Sequence, residues 1–151
     1  MINYRAIWFD MDGTIADLYS VENWLEFLRT ENPNPYLTAR PLIRLSALAR
    51  RLNNLQRKGY TINIVSWTAK NSSRAYEQAV IKAKLAWLEK HLPSVKWDAI
   101  KILPYGTKKS SVGVGILFDD EINNREEWFA ANVNSFAFDV NNILKVLEGL
   151  R

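Results

Sequence analysis

No cysteine occurs in the 151 residues, which excludes disulfide staples, a cysteine-ligated zinc site and a thiol nucleophile at once. A single histidine is present, His91. It falls near the end of an expected helix, where a partly positive imidazole suits the local dipole, and it is not read as catalytic. No stretch approaches the roughly 18 uninterrupted apolar residues of a membrane span. The first ten residues also lack the apolar run and cleavage site of a signal peptide, so a cytoplasmic location is expected. Internal repeats, low-complexity tracts and long Pro/Gly/Ser linkers are absent too. Charge of one sign is scarce: 20 basic and 16 acidic side chains leave +4. That balance suits an anionic substrate and is too mild to argue for nucleic-acid binding. What remains is an ordinary globular composition, 48% hydrophobic and 24% charged. A chain of this length makes one domain, 1–151, with a sizeable core.

Short apolar runs alternate with segments of helical period, the pattern of a mostly parallel α/β sheet. The runs at 4–9, 61–65, 99–103, 114–118 and 135–138 read as five strands. Between them, Leu42, Leu45, Leu48, Leu52 and Leu55 recur at helical steps, and Gly59 ends that helix. Ser72 or Ser73 caps a longer helix that Pro93 stops. Further helices are expected over 121–131 and 140–150. The segment 18–38 departs from this alternation. It holds an amphipathic piece, 21–28, followed by Asn-Pro-Asn-Pro, and reads as a small insertion.

Several strands end in polar or acidic residues at what becomes the carboxyl edge of the sheet, where open α/β folds bind ligands. The densest cluster is Asp10-Met11-Asp12-Gly13-Thr14-Ile15-Ala16-Asp17, directly after the first strand. Gly13 permits a tight turn there, and Thr14 offers a hydroxyl and an amide to an anion. An Asp-x-Asp alone is more often a solvated turn. Asp-x-Asp-Gly-Thr, however, arises by chance in only about one chain in a thousand of this size.

This block resembles the first motif of the haloacid dehalogenase-like phosphohydrolases. Ser66, closing the second run, matches the family's second motif, a lysine before the fourth run matches its third, and Phe118-Asp119-Asp120 matches its acidic fourth. The resemblance spans essentially the whole chain. It implies a three-layer α/β sandwich, Rossmann-like, with five parallel strands in the order 5-4-1-2-3 and 18–38 as a shortened cap.

The resemblance also implies roles. Asp10 would be the nucleophile that forms an aspartyl-phosphate, and Asp12 the general acid and base. Ser66, with backbone amides near Met11 and Asp12, would hold phosphoryl oxygens. Mg²⁺ would be bound by Asp10, the Asp12 carbonyl and a fourth-motif acid, a hard oxygen set that suits it. Among the lysines, Lys101 lies within a strand, whereas Lys108 and Lys109 lie in the following loop. In the 5'(3')-deoxyribonucleotidase-like branch the lysine stands ten residues before the first acid, which here selects Lys109 and leaves Lys108 a solvated neighbour. Asp120 is favoured as the direct metal ligand, with Asp119 binding through water or orienting Lys109. Glu121 reads as a first-turn helix acid.

Elementary electrostatics supports the cation. Two carboxylates about 4 Å apart repel by roughly 4 kcal/mol at an effective dielectric near 20, so gathering these acids without positive charge is costly. Trp67 either stacks on a nucleobase or packs under its loop; Tyr19, Trp24 and Tyr36 in the insertion are ring-stacking candidates, with Trp24 and Leu28 alternatively seating its helix on the core. Arg40, Lys70 and Arg74 flank the loops and read first as solvated charge, with contact to a phosphate or second anionic group as the alternative. The expected activity is Mg²⁺-dependent hydrolysis of a nucleotide or another small phosphomonoester. Two alternatives stay open: a phosphatase of nucleic-acid ends or phosphoproteins, and a non-catalytic binding module on the same fold.

Overall fold

The computed structural model describes residues 5–151. Tyr4, the expected start of the first strand, lies outside them. Five strands form one parallel sheet: β1 (Ala6–Phe9), β4 (Thr61–Trp67), β5 (Ala99–Leu103), β6 (Ile116–Phe118) and β7 (Phe136–Phe138), ordered β5-β4-β1-β6-β7. That is the expected 5-4-1-2-3 arrangement read from the opposite edge. Two residues each in β2 (Ala16–Asp17) and β3 (Arg40–Pro41) make a separate antiparallel pair.

Alternation along the strands divides the core into two layers. Ile7 and Phe9 of β1 and Ile62 and Ile64 of β4 point to one face. There they meet Leu48, Leu52 and Leu55 of α3 (Leu45–Arg57), Leu88 of α4 (Arg74–His91) and Ile143 and Leu147 of α6 (Ile143–Glu148). Trp8, Val65 and Leu117 point to the other face and pack on Trp128 of α5 (Ile122–Ala131). Each fully buried aliphatic side chain contributes about 1.5–3 kcal/mol. A sheet covered on both sides is the expected three-layer sandwich.

The element boundaries differ from expectation in physically explicable ways. β4 runs two residues past the apolar run at 61–65, because β5 continues to pair with it as far as Trp67↔Leu103. Ser66 is therefore inside a central strand. Ser73 caps α4, its hydroxyl accepting from the Tyr76 amide at 3.1 Å. The insertion carries two short helices, α1 (Trp24–Arg29) and α2 (Asn34–Thr38), where one helix and a Pro-rich turn were expected. Pro35 occupies the first turn of α2, where its missing N–H costs nothing.

The insertion leaves the core through β2, returns through β3 and docks on the start of α4. The Glu31 carboxylate accepts from the Ser73 amide (2.8 Å) and hydroxyl (2.6 Å), and the Tyr76 hydroxyl donates to the Asn32 carbonyl (3.0 Å). Leu18 and Tyr36 pack with Tyr76, Val80 and Ala83 beneath it. No described helix is long and apolar enough to cross a membrane.

Candidate active site

β1 delivers Asp10 to the carboxyl edge of the sheet, and its amide extends the ladder by donating to the Phe118 carbonyl at 3.0 Å. The chain then wraps around the Met11 carbonyl, which accepts from the amides of Thr14, Ile15 and Ala16 at 3.0 Å each. The Met11 side chain is anchored in the core. Gly13 has a φ of +79°, and a Cβ there would lie 2.3 Å from Asp120 Oδ2. Only glycine lets the segment after β1 approach Asp120 this closely.

Asp10 is buried and engaged on both oxygens. Lys109 Nζ donates to Oδ1 at 3.0 Å, and the Thr14 hydroxyl donates to Oδ2 at 3.2 Å. Lys109 also donates to Asp119 Oδ2 at 2.7 Å, and its ammonium lies 5.0 Å from the Trp67 ring centre. Burial alone would lower the Lys109 pKa, but the carboxylates of Asp10 and Asp119 more than reverse this and raise it. Lys101 and Lys108 are exposed.

The carboxylates of Asp10, Asp119 and Asp120 each place an oxygen within 4.8 Å of the others. Asp119 is well supplied with donors: Lys109, the Glu121 amide (2.9 Å) and the Asn124 amide group (3.3 Å). Asp120 has the Thr14 hydroxyl at 3.4 Å and no cation beside it among the described residues. Burial and then the negative charge of Asp10 push Asp119 up to about 6 and Asp120 up to about 8. The three carboxylates thus have one buried ammonium among them, and Asp120 is the one that has none beside it among the described residues. The glycine-made cradle and the hard oxygen donors fit a divalent cation such as Mg²⁺ held by Asp10 and Asp120.

Asp12 is not one of those three carboxylates and pairs with a different lysine. Its Oδ2 accepts from Lys84 Nζ at 2.8 Å. Burial raises its pKa more than Lys84 lowers it. Ser66 is fully buried, and its hydroxyl oxygen accepts from the same ammonium at 2.7 Å. Lys84, on α4, escaped sequence reasoning because lysines on a helix normally read as solvated. It does, however, follow Val80 by four residues and precede Trp87 by three, on the buried face of α4.

A cavity of about 260 Å³ opens above Asp10, Asp12, Lys109 and Asp120. Tyr19, Trp24 and Tyr36 of the insertion line it, as do Trp67, Lys70 and Tyr105. Burial and nearby carboxylates, Asp12 foremost, raise the pKa of Tyr19 and Tyr36. The Trp67 indole donates to the Thr107 carbonyl at 2.8 Å, and its ring meets Tyr105 at 4.9 Å. Thr14, Met11 and Ser66 are not on the cavity wall. Thr68 is: its hydroxyl is buried and has no hydrogen-bond partner, and the sequence does not mark it because the apolar run ends at Ser66.

No family model matches the sequence, and no curated protein matches it. Solved structures do. D,D-heptose 1,7-bisphosphate phosphatase from B. bronchiseptica, complexed with magnesium and phosphate, aligns over 95% of this chain and 97% of its own at 12% identity and a TM-score of 0.56. The corresponding phosphatase from Burkholderia thailandensis aligns over 96% and 99% at 11% identity and a TM-score of 0.51. At these identities the likeness concerns architecture: the chain shares the α/β fold of these two phosphatases.

Proposed function

We propose that the protein is a Mg²⁺-dependent phosphomonoester hydrolase working through an aspartyl-phosphate at Asp10. The observation that carries this reading is the setting of Asp10. It is a buried carboxylate at a strand end that shares Lys109 with Asp119 and stands beside Asp120, which has no cation next to it among the described residues. When bound, Mg²⁺ supplies charge stabilisation to phosphoryl oxygens and orients them. Asp10, Asp120 and the Asp12 carbonyl would hold it, with Asp119 chiefly fixing Lys109.

The chain's own residues divide the remaining work. An Asp10 oxygen attacks phosphorus, and the P–O bond to the leaving group breaks as Asp12 gives that oxygen its proton. Water then attacks the aspartyl-phosphate while Asp12 takes a proton from it, freeing inorganic phosphate and restoring Asp10. Lys109 balances the charge of Asp10 throughout. The unpartnered Thr68 hydroxyl, rather than Ser66, is suited to donate to a phosphoryl oxygen.

The insertion acts as a fixed cap, and its aromatic wall favours a small substrate with a planar leaving group, a nucleoside monophosphate first. A sugar phosphate is the second reading, favoured by the heptose bisphosphate phosphatases that share the fold. A panel with Mg²⁺ or EDTA separates them: para-nitrophenyl phosphate, deoxynucleoside monophosphates, sugar phosphates and a 3′-phosphorylated oligonucleotide. Metal-dependent turnover, highest on the nucleotides, is expected. Turnover on nothing would leave a binding module, and a preference for the oligonucleotide would shift the substrate to polymer ends.

A further inference from the structure

We propose that Lys84 is a positioning residue that fixes the Asp12 carboxylate for proton transfer, and that Ser66 serves this lysine rather than the substrate. The inference rests on the phosphatase reading above. Lys84 is 1% exposed, yet its ammonium has three acceptors for its three protons: Asp12 Oδ2 at 2.8 Å, Ser66 Oγ at 2.7 Å and the Trp67 carbonyl at 2.6 Å. The Tyr36 ring covers it at 5.2 Å.

Two of the acceptors, on Ser66 and Trp67, belong to β4, an interior strand paired on both sides, so the ammonium is pinned to the sheet. Asp12 is the third acceptor and the only one of the three residues that lies in the loop after β1. One Asp12 oxygen is therefore held by Lys84, and Asp12 is itself part of the cavity wall. A carboxylate without this tether rotates about its side-chain torsions, and misplacement by about 1 Å is enough to cost roughly 100-fold in rate. Lys84 itself does not line the cavity, so it acts through Asp12.

The test uses leaving groups of different basicity. An alkyl phosphate from the active panel needs a proton on its leaving oxygen, whereas para-nitrophenyl phosphate needs little. For Lys84→Met, kcat/KM on the alkyl ester should fall by about 100-fold, the scale of general acid catalysis, and on the aryl ester by less than about tenfold. Ser66→Ala, which removes one anchor, should show the same bias more weakly.

The cysteine-free sequence provides a rescue. Lys84→Cys protein is alkylated in denaturant with 2-bromoethylamine, which rebuilds a lysine-like ammonium, or with iodoacetamide, which gives a neutral tail, and is then refolded. Only the ammonium should restore the alkyl-ester activity. Equal losses on both esters by folded variants, or equal activity of the two alkylated proteins, would overturn the proposal. Where Lys84→Met does not fold, Ser66→Ala decides: a loss confined to KM and equal on both esters would mean that Ser66 binds phosphate. A wild-type protein inactive on every ester would instead overturn the phosphatase reading, and this proposal with it.

Discussion

Asp10 is held by opposed demands: Lys109 draws negative charge to it, and Asp119 and Asp120 repel that charge. Asp10→Asn keeps the size and the contact with Thr14 but removes the nucleophile. Metal-dependent turnover should fall by at least about 1000-fold with the fold intact by circular dichroism; retained activity would exclude Asp10 as nucleophile. The neighbouring acids give a pH dependence whose sign is fixed. Asp119 and Asp120 have folded pKa values of about 6 and about 8, above the ordinary carboxyl range. The folded chain thus keeps protons that the unfolded chain has released. Without metal, stability from these groups is full below about pH 4 and is lost as pH rises towards about 8. Mg²⁺ competes with the same protons. Thermal melting should show Mg²⁺ raising Tm more at pH 8 than at pH 5.5, and an equal rise at both would contradict the acid cluster as its site.

At the scale of elements, the loop after β1 and the insertion do different work. Gly13→Ala puts a Cβ into Asp120 at a positive φ. The strain should cost about 1–2 kcal/mol of stability, and Mg²⁺ affinity, measured by titration calorimetry, should fall with it. Trp24→Ala removes an aromatic wall of the cavity without touching Asp10. It should raise KM for a nucleoside monophosphate by about tenfold with kcat little changed, as steady-state kinetics would show. What was legible here depended on how local the signal was. The Asp10–Asp17 block and the helix over the leucines of α3 are written in consecutive spacing. The second helix of the insertion was hidden because Asn-Pro-Asn-Pro reads as a turn until a first-turn position for Pro35 is recognised. Lys84 was hidden because its partners, Asp12 and Ser66, stand 72 and 18 residues away. Its one sequence trace is a lysine on the apolar face of α4.

Over the whole molecule, the strand order brings β1, β4 and β6 side by side, so residues 10, 12, 68 and 119–120 meet at one edge although far apart in the chain. The parallel class of the sheet followed from alternating apolar runs. The strand order came from resemblance, since periodicity says nothing about which strands are neighbours. Specificity is least legible, because Tyr105 and Thr68 join the cavity only through folding. The central claim is that phosphate passes through Asp10. Asp12→Asn should slow the second step, so single-turnover reaction with Mg²⁺ and an aryl phosphate, quenched in acid, accumulates the covalent species. Peptide mass spectrometry should then find one added phosphoryl group on the peptide containing Asp10. Metal-dependent turnover by the wild type, with no label on that peptide in either protein or with the label elsewhere, would contradict the account.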